Sequence, residues 1–315
     1  MIFEPFGTIH QILILTVLLI ITSFYVLRNK INKQIQAKKT ELNNSNKPNN
    51  LKTLIIKQKT QEKTQEKMRE NPKKENLKEK SILINKNIPN SVHLNLVSSD
   101  SIQFFDFPII RFIFDFLIFG LFGHCLFYFG GHILRGSFNL TKYLPLHICN
   151  LPVYLLLIAL ISLKLKKKWA RSFVTLVYYW SLIPASLAFL FPDLQSRFIL
   201  DFEFVEFFWS HFLIIVSCFF LFFFANLQTK YNFVLKAIGI LMIFGLVLIY
   251  PLNLILGSNY MYLNRLTETG PMSFFPKPPF HLGVFAGLLL VFYSLQFGLL
   301  KLDFHFNPRN RNKRK

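Results

Sequence analysis

Two residues of this chain carry the most chemical promise, a cysteine and a histidine at matching depth. Cys149 falls within the apolar run Tyr143–Leu163, and His211 within the run Val205–Asn226. If both runs are helices, each residue is about six positions from the outer end, roughly 9 Å below the surface at 1.5 Å per residue. An imidazole that takes the thiol proton leaves a thiolate nucleophile. At that depth the nearest carbonyls belong to lipid ester linkages, so attack would give an acyl-cysteine. Water would then complete a hydrolysis, and a lysolipid hydroxyl a transacylation. His147 and Asn253 are candidate donors to the oxyanion. Asn259, Tyr260 and His10 gather on the same side, as does the i, i+4, i+8 stripe His124, Tyr128 and His132. Taken singly, each of these histidines also reads as hydrogen-bonding glue between helices.

The elements that must position these groups are apolar runs. They are Ile9–Leu27, Pro108–Leu134, Tyr143–Leu163, Ser172–Phe191, Val205–Asn226, Phe233–Leu256 and Phe280–Leu300. About 20 mostly apolar residues cross a bilayer core of ~30 Å, so the fold class expected is all-α, a polytopic membrane bundle of about seven helices. Lys and Arg collect mainly on alternate sides: Lys164, Lys166, Lys167, Lys168, Arg171, Lys230, Lys236 and a basic tail on one, against Arg135, Lys142, Arg265 and Lys277 with Asp193, Asp201, Glu203, Glu206 and Glu268 on the other. The positive-inside bias then puts the N-terminus outside and the C-terminus in the cytoplasm. Four parts follow: a first span over 1–27, a basic flexible cytoplasmic linker over 28–104, a six-helix core over 105–302 and a basic tail over 303–315. The linker is rich in Lys, Asn, Gln and Glu, repeats KTQEKTQEK at Lys59–Lys67, and has room for a partial helix around Ile56–Glu70. The first run lacks a basic n-region and reads as a retained span rather than a cleaved signal.

Composition narrows the function classes. Net charge is +20 over 315 residues, and the 38 Phe against 13 Gly suit a lipid-facing chain. The basic segments read as anchors for anionic headgroups rather than as nucleic-acid contacts. Cys125, Cys149 and Cys218 all lie in apolar runs, with no zinc spacing, so no metal site is assigned. No phosphate-binding loop or cofactor motif is present, and no cofactor is expected. Within the third run a regular helix would set Tyr143, His147, Asn150 and Tyr154 on one face and Pro145, Cys149 and Pro152 on another. His147 and Cys149 then point apart, unless the prolines unwind the helix.

Several of these residues also carry a resemblance. Leu144-Pro-Leu-His-Ile-Cys149, the Pro192-Asp193 loop, Ser210-His211, Tyr250-Pro-Leu-Asn253, Gly257-Ser-Asn-Tyr-Met-Tyr-Leu-Asn-Arg265 and the opening Phe-Gly-x-x-His10 resemble, in order and spacing, the YwaF family of bacterial multi-spanning membrane proteins. That family in turn resembles a vertebrate transmembrane acyltransferase that remodels ether phospholipids, in which a Cys and a His are implicated. The resemblance implies Cys149 as nucleophile and His211 as base. Its partners would be membrane phospholipids or lysophospholipids, in a bacterial inner membrane.

Two rival readings stand beside a cysteine-dependent phospholipid acyltransferase or transacylase. A transporter would keep its site near the midplane and depend on Asp115, which forms an i, i+4 pair with Arg111. A non-catalytic protein would use the His-rich outer pocket to hold a lipid or a metal.

Overall fold

The computed structural model describes residues 7–70, 107–192, 198–199, 201–225, 227–228, 230–266 and 271–306. Asp193, Glu268, the 71–104 part of the expected linker and the tail beyond Phe306 lie outside the described residues. The regular elements are helical: α1 Thr8–Glu70, α2 Pro108–Leu134, α3 Leu151–Lys164, α4 Ala170–Leu190, α5 Phe202–Phe224, α6 Asn232–Phe244, α7 Tyr250–Leu256 and α8 His281–Phe306. The chain divides into two units, Met1–Arg28 with Gln103–Lys315, and Asn29–Ile102.

Of the second unit the described part is helix, because α1 runs on to Glu70. The expectation there is a flexible linker with a partial helix around Ile56–Glu70, and the helix covers that stretch. The same Lys, Gln and Glu residues are strong helix formers, and that propensity is what the backbone follows.

In the first unit, six helices among the described residues are long and apolar enough to cross a membrane, and the shorter α3 adds 14 apolar residues. Helix α5 is central: 72% of its apolar window is buried, against 28% for α2 and 11% for α8. It packs on α2, α3 and α4, while α6 packs on α4 and α8. Trp180 Nε1 donates to Ala237 O at 2.8 Å and ties α4 to α6. The sidedness of α2 is the reverse of a soluble helix. His124, Tyr128 and His132 are buried, whereas Phe112, Phe119, Phe122 and Ile133 are exposed. Polar groups inward and apolar groups outward suit a lipid solvent, and the protein is a multi-pass membrane protein.

At one end of the bundle Arg28 and Asp303 pair in a two-pronged contact, Nη2 to Oδ2 being 2.7 Å, and Lys164 Nζ donates to Asp115 Oδ1 at 2.7 Å. Asp115 thus joins α2 to α3 at a partly exposed site.

Two departures from the apolar runs shape the other end. The third run is helical only from Leu151, and residues 143–150 form turns. Pro145 disfavours helix at Leu144, and Pro152, in the first turn of α3, has no N–H with which to extend the helix backwards. The sixth run is interrupted by a π-helical segment, Gly245–Ile249, closed by Tyr250 N–H bonding Gly245 O. Pro251 follows it, has no N–H to give, and would crowd the carbonyl of Val247 in a regular α turn.

Where α2 meets the start of α5, Gly131 allows a close approach. A Cβ there would lie 2.2 Å from the Phe202 ring. That ring is boxed in by Phe127 at 4.9 Å, His132 at 5.1 Å and the Arg135 guanidinium at 4.4 Å. Gly131→Ala is therefore expected to destabilise the fold by about 1–3 kcal/mol through overpacking. A lower unfolding midpoint in detergent checks this, and an unchanged midpoint would mean that Phe202 swings aside freely.

Candidate functional site

The segment that carries the cysteine is held from three directions. Tyr260 O–H donates to Leu140 O at 2.6 Å and accepts from Leu144 N–H at 3.0 Å. Burial raises the Tyr260 phenol above its ordinary range, which preserves the proton this strut needs. Tyr128 O–H, from α2, donates to Tyr143 O at 2.9 Å. The His147 ring packs against Tyr260 and Tyr262, with centroids 5.1 and 5.5 Å apart. Cys149 follows in a turn, partly exposed, immediately before α3.

The strut has its own foundation. Gly257, at φ +66°, ends α7 in the left-handed conformation that glycine adopts most readily. Fully buried Asn253 then staples the loop beyond it. Its Nδ2 donates to Tyr260 O at 2.9 Å, and its Oδ1 accepts from Ser258 Oγ and from Tyr260 N–H, both at 2.8 Å. Asn259 Nδ2 donates to Arg265 O at 2.8 Å, and its Oδ1 accepts from Asn264 N–H and Arg265 N–H. Met261 and Tyr262 both have positive φ, 58° and 55°. Each such non-glycine residue costs on the order of 1 kcal/mol and persists only where its surroundings impose it. His281 Nε2, donating to Tyr262 O at 3.1 Å, is one of those constraints.

His211 is buried in α5. Its Nδ1 is 2.6 Å from Phe207 O and 3.2 Å from Ser210 Oγ. A carbonyl only accepts, so the proton is on Nδ1 and the lone pair on Nε2. Nε2 is buried with no hydrogen-bond partner among the described residues. This is the tautomer a general base requires.

Beside His124 lies a group that sequence reasoning places among the outer-loop charges, Glu206. Helix α5 begins at Phe202, so Glu206 lies within the helix and not in the loop before it. Glu206 Oε1 stands 3.7 Å from His124 Nε2, with side chains only 15% and 3% exposed. Cys149, Tyr128 and Tyr154 lie within electrostatic range of the Glu206 carboxyl, and His124 within range of His211. His124 Nδ1 and the Tyr154 hydroxyl, like His211 Nε2, are buried without a partner among the described residues. The signal in the sequence is the short spacing from Glu206 to His211 on one helix.

The structure thus gathers Cys149, His147, Tyr260 and Asn253 on one continuous scaffold, with no hydrogen bond between Cys149 and His211 among the described residues. His10 takes part elsewhere. Its Nε2 donates to Phe189 O at 2.8 Å and its ring packs edge-on to Phe208 at 6.0 Å, pegging α1 to α4 and α5. Among the described residues no three His, Cys, Asp or Glu side chains are grouped to hold a metal.

A family model described as the TMEM164 family matches residues 5–297 of this chain. No curated protein and no solved structure matches it.

Proposed function

The chain belongs to the TMEM164 family, the family of the vertebrate acyltransferase noted above, and we propose that it moves fatty acyl chains between phospholipids, with Cys149 as nucleophile and His211 as base. His211 Nε2 takes the thiol proton, and the thiolate adds to an ester carbonyl of the donor lipid. The carbon–oxygen ester bond breaks, and the leaving alkoxide recovers the proton from His211. The products are a lysolipid and a thioester on Cys149. A lysophospholipid hydroxyl then attacks the thioester and regenerates the thiol. The observation that carries this reading is the His211 tautomer, with an unpartnered lone pair buried in the same polar cluster that borders Cys149. The exposed apolar faces of α2 and α8 support access from lipid.

The protein is of the bacterial YwaF type and resides in an inner membrane, with its N-terminus outside and its C-terminus cytoplasmic. Its basic segment and tail lie against anionic headgroups.

A long-chain alkyl iodoacetamide, applied to the protein in phospholipid vesicles, tests the pair. Wild type is expected to label at Cys149, His211→Ala to label at least about tenfold more slowly for want of thiolate, and Cys149→Ser not at all. Equal labelling of wild type and His211→Ala would remove His211 as the base.

A further inference from the structure

The cluster contains more acid–base capacity than one thiol needs. His124 projects from α2 onto the Glu206 carboxyl of α5, Nε2 to Oε1 being 3.7 Å. At that distance the contact is electrostatic rather than a hydrogen bond; in the tautomer with the proton on Nε2, facing the carboxyl, the lone pair is on Nδ1. That nitrogen is buried and has no partner among the described residues. Tyr154 adds an unpartnered hydroxyl from α3, in electrostatic range of the same carboxyl. The Tyr128 ring, 6.2 Å from that of His124, closes one side. Buried polar atoms inside a bundle need partners, and the two orphaned ones beside this carboxyl, His124 Nδ1 and the Tyr154 hydroxyl, describe a place where an oxygen-bearing ligand belongs.

We propose that His124, held by Glu206, is a second base that activates the acceptor lysophospholipid hydroxyl, separate from the His211 that activates the thiol. This rests on the acyl-transfer reading above. In the second half-reaction His124 Nδ1 takes the hydroxyl proton while the alcohol oxygen adds to the thioester carbonyl. The carbon–sulfur bond breaks, the new ester forms, and the Cys149 thiolate recovers the proton from His124. Tyr154 O–H donates to the oxyanion of the tetrahedral intermediate. His124 and Tyr154 touch reacting atoms, whereas Glu206 is a positioning residue: its negative charge favours the imidazolium that forms.

The test separates the two half-reactions. Wild type, His124→Gln and Glu206→Gln are placed in vesicles of a diacyl phospholipid with an isotope-labelled acyl chain, with and without a lysophospholipid acceptor. Intact-protein mass spectrometry reads the thioester on Cys149, and lipid mass spectrometry reads the labelled product. Both variants are expected to form the thioester at the wild-type rate and to accumulate it, with transfer slowed about 10²-fold or more, as for loss of a general base. The accumulated thioester itself shows that the variant is folded. Transfer at the wild-type rate in Glu206→Gln and His124→Gln would overturn the proposal. So would loss of thioester formation and transfer together, in variants that elute like wild type from a sizing column. A wild type that never forms the thioester would fail the underlying acyl-transfer reading instead, and the second base with it.

Discussion

Replacing Cys149 by alanine is expected to end acyl transfer while leaving the fold intact. Cys149 sits partly exposed in a turn, outside any helix, so loss of its sulfur opens no core cavity. The scaffold around it is made by the Tyr260 hydroxyl and the Tyr128 hydroxyl, and both bind backbone groups that alanine preserves. The stability change should therefore stay within about 1 kcal/mol. The rate change should be large, because a missing nucleophile removes the covalent path altogether. Losses of about 10³-fold or more are the scale for such deletions. Measuring acyl exchange in vesicles alongside a thermal melt separates the two quantities. Unchanged exchange in Cys149→Ala would remove Cys149 as the nucleophile and with it the acyl-cysteine path.

Asn253→Ala should show the opposite pattern, a loss of structure from which a loss of activity follows. Asn253 is fully buried and makes three hydrogen bonds to the loop after α7. Alanine leaves the Tyr260 N–H and C=O and the Ser258 hydroxyl without their partner, at about 1–3 kcal/mol for each group that stays buried and unsatisfied. A destabilisation of roughly 3–5 kcal/mol is expected, among the larger single-residue effects. With the staple gone, Tyr260 no longer fixes the 140–144 segment, and Cys149 should react faster with a small maleimide as its turn loosens. A wild-type melting midpoint with unaltered maleimide kinetics would mean that the loop is held by other contacts.

What the sequence reveals of this fold follows from what hydropathy can register. The apolar runs coincide with helices, because burial in lipid and helix formation demand the same residues. The stripe His124, Tyr128 and His132 is legible because a helix repeats every 3.6 residues, and all three side chains are buried on one face. Backbone departures are less visible. The π segment at Gly245–Ile249 has ordinary apolar composition and only Pro251 hints at it, whereas the turns at 143–150 are foreshadowed by Pro145, Pro152 and the polar residues between them. The helix that continues past Leu27 to Glu70 was hidden by its polarity.

The site divides in the same way. Depth along the membrane normal is readable from run boundaries, and it brought Cys149, His211, His147 and Asn253 to notice. Which helices are neighbours is not a property of any one segment. The contact of His124 with Glu206 joins residues of α2 and α5 that are far apart in sequence, and only packing reveals it. Asn253 and Tyr260, attractive as oxyanion or substrate groups by type, turn out to spend their hydrogen bonds on the backbone. Polar residues at a membrane boundary serve architecture and chemistry with the same atoms, so residue type alone does not divide them.

The Tyr260 hydroxyl gives and receives at once, to Leu140 and from Leu144. One consequence concerns time rather than place. The Leu144 amide is sheltered by a side chain 116 residues further along the chain, so its exchange with deuterium must wait until the loop after α7 lifts away. That single amide is a clock for the opening of this loop, and the hydroxyl it waits on can be removed by changing one atom, Tyr260→Phe.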